Sequence, residues 1–192
     1  MKIKLILLLL LSYCPFAFAQ NIDTLKKEAQ NMYQATLSMN FDAIIEGTYP
    51  RLFELVSKEQ MKELLIATFA ENEEMKVELI NVPANFSFGE IKKIGEQTFC
   101  LINHDLKMKL TLVQKVEEDE IELMTTLMKE AMETNDIVFN KENNAFSILK
   151  KAAMIAIVDD FTQNEWKFIN KDKNNAFVNK LFNEKVIQEL GL

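Results

Sequence analysis

The sequence predicts an α+β fold in which N-terminal helices pack on a curved antiparallel sheet, with a helical insertion and a C-terminal helix. Before residue 72, apolar residues recur every three or four positions, which is the period of an amphipathic helix. After residue 75 they alternate with polar residues, which is the period of a strand. Because the helices precede the strands instead of alternating with them, we expect an antiparallel sheet covered on one face.

Three helices are predicted before residue 72. The first covers residues 22–39, and residues 40–42 separate it from a second helix that ends before Pro50. A proline fits the first turn of a short helix that follows. Ser57 and Gln60 have the spacing of a capping box, which predicts the start of the third helix.

The sheet is predicted from segments that alternate or are continuously apolar. They are residues 75–79, a hairpin over 91–102 that turns at Gly95-Glu96, residues 108–112, the long apolar run Ala145–Val158, and residues 166–169. Asn103, His104 and Asp105 have the composition of a turn. Helical periodicity returns over residues 117–134 and again in a final helix that Asn175 would cap.

The N-terminus has the layout of a secretory signal peptide. Lys2 and Lys4 precede the apolar run 5–11, and Ala17-Phe18-Ala19 is a small-x-small cleavage site. The apolar run is shorter than the ~20 residues of a membrane-spanning helix. The sequence therefore predicts an exported bacterial protein, periplasmic or extracellular, with one α+β domain over residues 20–192.

Cys14 leaves a second interpretation open, because a lipidated cysteine at this point would anchor the protein as a lipoprotein. Tyr13 stands where such signals carry a small residue, which favours ordinary cleavage after Ala19. Cys100 is then the only cysteine of the mature chain, and its apolar neighbours predict a buried thiol.

The chain is acidic, with 29 Asp and Glu residues against 22 Lys and Arg residues and a net charge of −7. Negative charge repels nucleic acid and anionic membrane, so we expect neither as a partner. No glycine-rich phosphate loop, nucleophile elbow or Cys-x-x-Cys motif is present, and we expect no cofactor. The lone histidine excludes a His-rich metal site.

Three groups of residues resemble landmarks of the nuclear-transport-factor-2-like superfamily. They are Tyr33-Gln34-Ala35, the Asn40-Phe41-Asp42 break followed by Pro50, and the run Asn164–Ile169. The resemblance covers most of residues 22–170 and implies a cone-shaped α+β fold with a pocket between the helices and the sheet. Members include isomerases, dehydratases, polyketide cyclases and non-catalytic binding domains, so the fold alone selects no function. A cystatin-like fold is the nearest alternative.

Three residues are candidates for catalysis in such a pocket. Tyr33 and Asp42 could form an acid/base pair, and His104 could be a general base oriented by Asp105. The alternative is structural. Tyr33 would then be a core residue with its hydroxyl at the rim, Asp42 a helix N-cap, and His104 a solvated turn residue.

Met124, Met128 and Met132 recur every four residues on the predicted insertion. Such a stripe could bind Cu(I), form an adaptable partner surface, or pack in the core. Leu127 and Ala131 are expected to continue the same face, which favours core packing.

We therefore expect a non-catalytic binding or interaction domain whose partner is a small molecule or a protein. The competing hypothesis is a pocket enzyme of isomerase or dehydratase type. A homodimer is compatible with either.

Cleavage after Ala19 would remove nineteen of the 192 residues and leave a mature chain of 173. The intact mass of the exported protein should match an unmodified chain that begins at Gln20. A mature chain that begins at a lipid-modified Cys14 would instead show that the protein is anchored to a membrane.

Overall fold

The computed structural model describes residues 16–70, 72–171 and 176–192, with side chains from residue 22 onward. Residues 1–15, which include Cys14, lie outside this range, as does Asn175. The described chain forms an α+β fold with a curved, unclosed antiparallel sheet, which confirms the predicted fold class.

Helical segments precede the sheet in the predicted order. They are α1 (Phe16–Leu37), α2 (Phe41–Gly47), a 3₁₀ turn (Pro50–Glu54) and α3 (Lys58–Phe69). Pro50 occupies the first turn of the 3₁₀ segment, where a backbone N–H is not needed. The Ser57 hydroxyl accepts a hydrogen bond from the amide of Gln60, whose side chain accepts from the amide of Ser57, so the capping box is confirmed. No helix in the described part of the chain is long and apolar enough to cross a bilayer.

The sheet contains seven strands among the described residues, and all their pairings are antiparallel. They are β1 (Met75–Ile80), β2 (Ser87–Phe88), β3 (Lys92–Ile94), β4 (Gln97–Leu112), β5 (Ile137–Asn140), β6 (Ala145–Val158) and β7 (Lys167–Asn170). β1, β2 and β3 pair along one side of β4, while β5 and β7 pair along the far side of β6. The predicted central strand and the predicted hairpin are both present. Gly95 supplies the positive φ, 66°, of the hairpin turn.

β4 runs straight through the predicted turn. Residues 103–105 lie in the middle of this strand and pair with residues 151–153 of β6. The turn prediction is therefore wrong, and His104 is half-buried instead of solvated. The preference of Asn, His and Asp for turns is weak compared with a continuous ladder of fourteen residue pairs between β4 and β6.

The helical insertion is present as α4 (Ile121–Met132). The predicted C-terminal helix is present but divided into α5 (Val178–Leu181) and α6 (Glu184–Leu190). Phe182 has an extended backbone, and the side chain of Asn183 accepts a hydrogen bond from the amide of Val186. An asparagine N-cap therefore restarts the helix within the predicted segment.

The two faces of the central strands pack against different elements, because alternate residues of a strand point to opposite sides. On the face that we call the α1 face, Leu25 and Ala29 of α1 pack against Cys100 and Ile102, and α4 packs further along the strands. On the opposite face, Phe99 belongs to a cluster that includes α5 and α6. The expectation that only one face is covered is therefore wrong, because the C-terminal helices cover part of the second face.

Cys100 is buried as predicted, and so is Trp166. Trp166, immediately before β7, is 3% exposed, and Cys100 is fully buried. The thiol of Cys100 lies 3.4 Å from the carbonyl oxygen of Gly89, and burial raises its pKa to about 11. The thiolate, which is the reactive form, is therefore scarce at neutral pH.

A thiol reagent should react slowly with Cys100 in the native mature protein and quickly in denaturant. Unfolding both exposes the sulfur and returns its pKa to about 8.5. The rate of modification at pH 8, measured with and without urea, checks this. Equal rates would show that the Cys100 side chain does not face the core.

Candidate functional site

A cleft of about 710 Å³ opens on the α1 face of the sheet. Residues 102 and 154 of this face pack against α1, and residues 108 and 148 pack against α4. Between them the two central strands supply four lining side chains, His104, Leu106, Lys150 and Ala152. The end of α4 and the end of β7 form the walls. We call this opening the α1–α4 cleft.

The imidazole of His104, on the sheet side of the cleft, is held by two aromatic rings. Its centroid lies 5.7 Å from that of Tyr33, in an edge-to-face arrangement, and 5.9 Å from that of Phe86. Its Nδ1 atom is buried and has no hydrogen-bond partner. Burial lowers the pKa of His104, against the opposing effect of the negative charge of Asp105, so the ring is neutral at pH 7.

The buried Nδ1 atom decides which neutral tautomer we assign. A buried N–H without an acceptor is rarer in proteins than a buried acceptor without a donor. We therefore place the proton on Nε2, which leaves Nδ1 as an unpaired acceptor. The ring lines the cleft and its Nδ1 edge is buried. The Nε2–H group is therefore the one that can donate a hydrogen bond to a ligand in the cleft.

Two half-buried lysines also line the cleft. Lys150 lies on β6, and Lys171 directly follows β7. Neither has a carboxylate within ion-pair distance among the described residues. Lys151, at the margin, is paired with Asp105. Glu133, at the end of α4, is the acidic residue of the lining.

Asp105 does not orient His104 through a hydrogen bond between the described side chains. Its carboxylate accepts from Lys151 and, at 2.8 Å, from Asn85. These hydrogen bonds hold the pKa of Asp105 below its usual value, with the one from Lys151 the larger cause. The pairing with Lys151 places Asp105 on the face of β4 that is opposite to His104.

The structure places Tyr33 and Asp42 in different surroundings. The Tyr33 hydroxyl donates to the carbonyl oxygen of Val82 at 3.0 Å, and its pKa is raised by burial and by the charge of Asp105. The carboxylate of Asp42 is 81% exposed and forms an ion pair with Lys62 at 2.6 Å. The structure therefore brings Tyr33 together with His104 and not with Asp42.

The N-cap of α2 also differs from the predicted one. The side-chain oxygen of Asn40 accepts from the amide of Ala43 at 3.1 Å, so Asn40 and not Asp42 is the cap. Asp42 lies in the first turn, where a carboxylate is favoured by the helix dipole.

Met124, Met128 and Met132 pack against the apolar cluster formed by Leu110, Ile137, Phe146 and Ile148. Leu127 and Ala131 were expected on the same face, and that prediction is wrong, since Leu127 is 55% exposed and Ala131 is exposed. Adjacent helical residues differ by about 100° in direction, so Leu127 points away from the apolar cluster that Met128 contacts. Within the described chain, no three His, Cys, Asp or Glu side chains are grouped so that they could hold a metal ion.

Sequence reasoning missed a buried polar network around Asp159. The Tyr49 hydroxyl donates to Asp159 Oδ2 at 2.6 Å, and Gln97 Nε2 donates to the same oxygen at 2.7 Å. The amide of Thr162 donates to Asp159 Oδ1 at 3.1 Å. Burial, and then the hydrogen bond to Asp159, raise the pKa of Tyr49, which stays protonated. Since the carboxylate already accepts three hydrogen bonds, we assign this network to holding the fold.

Comparison of the chain with protein-family models and with curated proteins finds no match. The likeness to the nuclear-transport-factor-2-like superfamily stays a hypothesis based on residue patterns.

Replacing His104 by Gln should flatten the dependence of stability on pH in the window below about 6.5. The unfolded histidine titrates near 6.5, whereas the native pKa is lower, so the unfolded state binds the proton first. The free energy of unfolding of the wild type should therefore fall as the pH decreases through this window. Asp105 contributes at lower pH, because its carboxyl pKa lies below the usual value.

Urea unfolding of the mature protein and of His104→Gln at several pH values measures this difference. The sequence contains one histidine, so the histidine contribution belongs to His104. Identical pH profiles for the two proteins would contradict the burial of the imidazole.

Proposed function

We propose that this chain is an exported bacterial binding domain that holds a small molecule in the α1–α4 cleft and catalyses no reaction. The observation that carries the proposal is an uncovered stretch of the sheet between two helices. There, polar and apolar side chains line a cleft of about 710 Å³. Small-molecule sites are typically clefts of roughly 300–1,000 Å³ with an apolar lining and a few placed polar groups.

The lining has both parts of such a site. Leu106, Met108 and Ala152 supply apolar surface, and His104 and Lys150 supply polar groups from the same two strands. The backbone ladder fixes where each side chain leaves the sheet, and the contacts with Tyr33 and Phe86 hold the His104 ring in place before a ligand arrives.

The proposal favours binding over catalysis because of where the candidate acid and base residues lie. The Tyr33 hydroxyl is engaged by the carbonyl oxygen of Val82, and Asp42 lies on the exposed surface beside Lys62. A general base must reach the proton that it abstracts, within hydrogen-bond distance or through one water. The neutral tautomer assigned to His104 directs an N–H donor, and not a basic lone pair, to the cleft.

The architecture also supports the proposed likeness to the nuclear-transport-factor-2-like superfamily. A long first helix lies on one face of a curved antiparallel sheet, and a second helix and a proline-led turn follow it. The export proposal depends on the signal-peptide pattern of residues 1–19.

A small-molecule library of mixed charge, screened by amide NMR shifts of the mature protein, should give compounds that perturb cleft residues. Ala152→Phe should abolish these perturbations, because its ring projects into the cleft from the centre of the floor. Val138→Phe, at a position on β5 that is 63% exposed, adds the same ring outside the cleft and should leave binding unchanged.

Two outcomes would contradict the proposed function. One is the absence of compounds that perturb cleft residues. The other is equal binding to the wild type and to a folded Ala152→Phe variant.

A further inference from the structure

We propose that the α1–α4 cleft selects amphiphilic anions, in which a carboxylate or phosphate monoester is attached to a short apolar body. The ammonium groups of Lys150 and Lys171 and the Nε2–H of His104 hold the anionic group, and the apolar floor holds the body. This inference rests on the proposed function and adds the chemical class of the ligand.

The placement of the two lysines favours an anion. The whole chain has seven more acidic than basic residues, yet Lys150 and Lys171 both line the cleft without a carboxylate partner among the described residues. Both residues are half-buried, as expected for lysines whose apolar stems lie along the protein surface. A ligand anion restores a partner to each charge, and hydrogen bonds between charged groups are the strong ones.

His104 adds a directional donor to these two charges. The buried, unpartnered Nδ1 atom assigns the proton to Nε2, and the contacts with Tyr33 and Phe86 fix the ring plane. A neutral N–H donor binds an oxygen of either a carboxylate or a phosphate.

The sheet surface between α1 and α4 is the floor of the cleft. Its apolar side chains favour an anion with an apolar body over a purely hydrophilic anion. Leu106, Met108 and Ala152 lie beside the polar groups on the same face of the sheet. Burying their surface stabilises a complex by roughly 25 cal/mol per Å², a contribution that inorganic phosphate cannot make. An alkyl chain attached to the anion covers this surface.

Octanoate and octanamide, which have nearly the same shape, separate the contribution of charge from that of the chain. In calorimetric titrations of the mature protein at constant ionic strength, octanoate should bind at least about tenfold more tightly, since a hydrogen bond to a charged group contributes that much. Octyl phosphate tests the phosphate form of the anion, and inorganic phosphate tests the anion alone and should bind more weakly than octyl phosphate.

Lys150→Met and Lys171→Met should each weaken octanoate binding by about tenfold and leave octanamide binding unchanged, because methionine keeps most of the apolar stem. Lys93→Met is the matched control. It removes the same charge from an exposed position on β3, outside the cleft lining, and should leave both affinities unchanged. His104→Gln keeps a side-chain N–H and should retain more affinity for octanoate than His104→Leu.

Failure of this inference is distinguishable from failure of the proposed function. If library compounds bind the cleft but octanamide binds as tightly as octanoate, the charge selectivity is wrong and the binding function stands. Lysine variants that fold and bind octanoate like the wild type would also overturn it. The comparison of octanoate with octanamide uses only the wild-type protein. It therefore tests the charge selectivity even if a substitution prevents a variant from folding.

Discussion

The pairing of β4 with β6 is the interaction on which the rest of the fold depends. Fourteen residue pairs join the two strands, and each of the other five described strands pairs with one of them. Their alternating side chains supply the central apolar residues of all three core clusters. Because the two strands extend beyond the area that α1 covers, part of their shared face is left for α4 and part is left open as the cleft.

The sequence predicts the elements whose local pattern agrees with their tertiary setting. Ala145–Val158 was predicted with the bounds that it has, because the apolar residues on either side of Lys150 and Lys151 are typical of a central strand whose two ends are buried. The Ser57 capping box was predicted because both of its hydrogen bonds are local. Residues 103–105 were mispredicted because the β4–β6 ladder overrides their local preference for turns, and because the partners of Asp105, Asn85 and Lys151, are distant in sequence.

The candidate site was only partly predictable from the sequence. His104 and Tyr33 were candidates, but their contact depends on α1 lying across β4, which no local pattern specifies. Lys150 and Lys171 were not singled out, since they lie on different strands and resemble other surface lysines. Both line the cleft because β7 pairs with residues 154–157 of β6, which brings Lys171, just after β7, beside Ala153 of β6.

The Asp159 network has a consequence for the order in which the molecule assembles. The hydrogen bond from Tyr49 closes a loop of 110 residues that contains most of the sheet. Bringing such distant segments together costs chain entropy that only a nearly complete β4–β6 ladder can offset. We therefore expect the network to form late in folding, and interactions that form late act mainly by slowing unfolding. We therefore expect the hydrogen bond of Tyr49 to lower the unfolding rate of the protein more than it raises the folding rate.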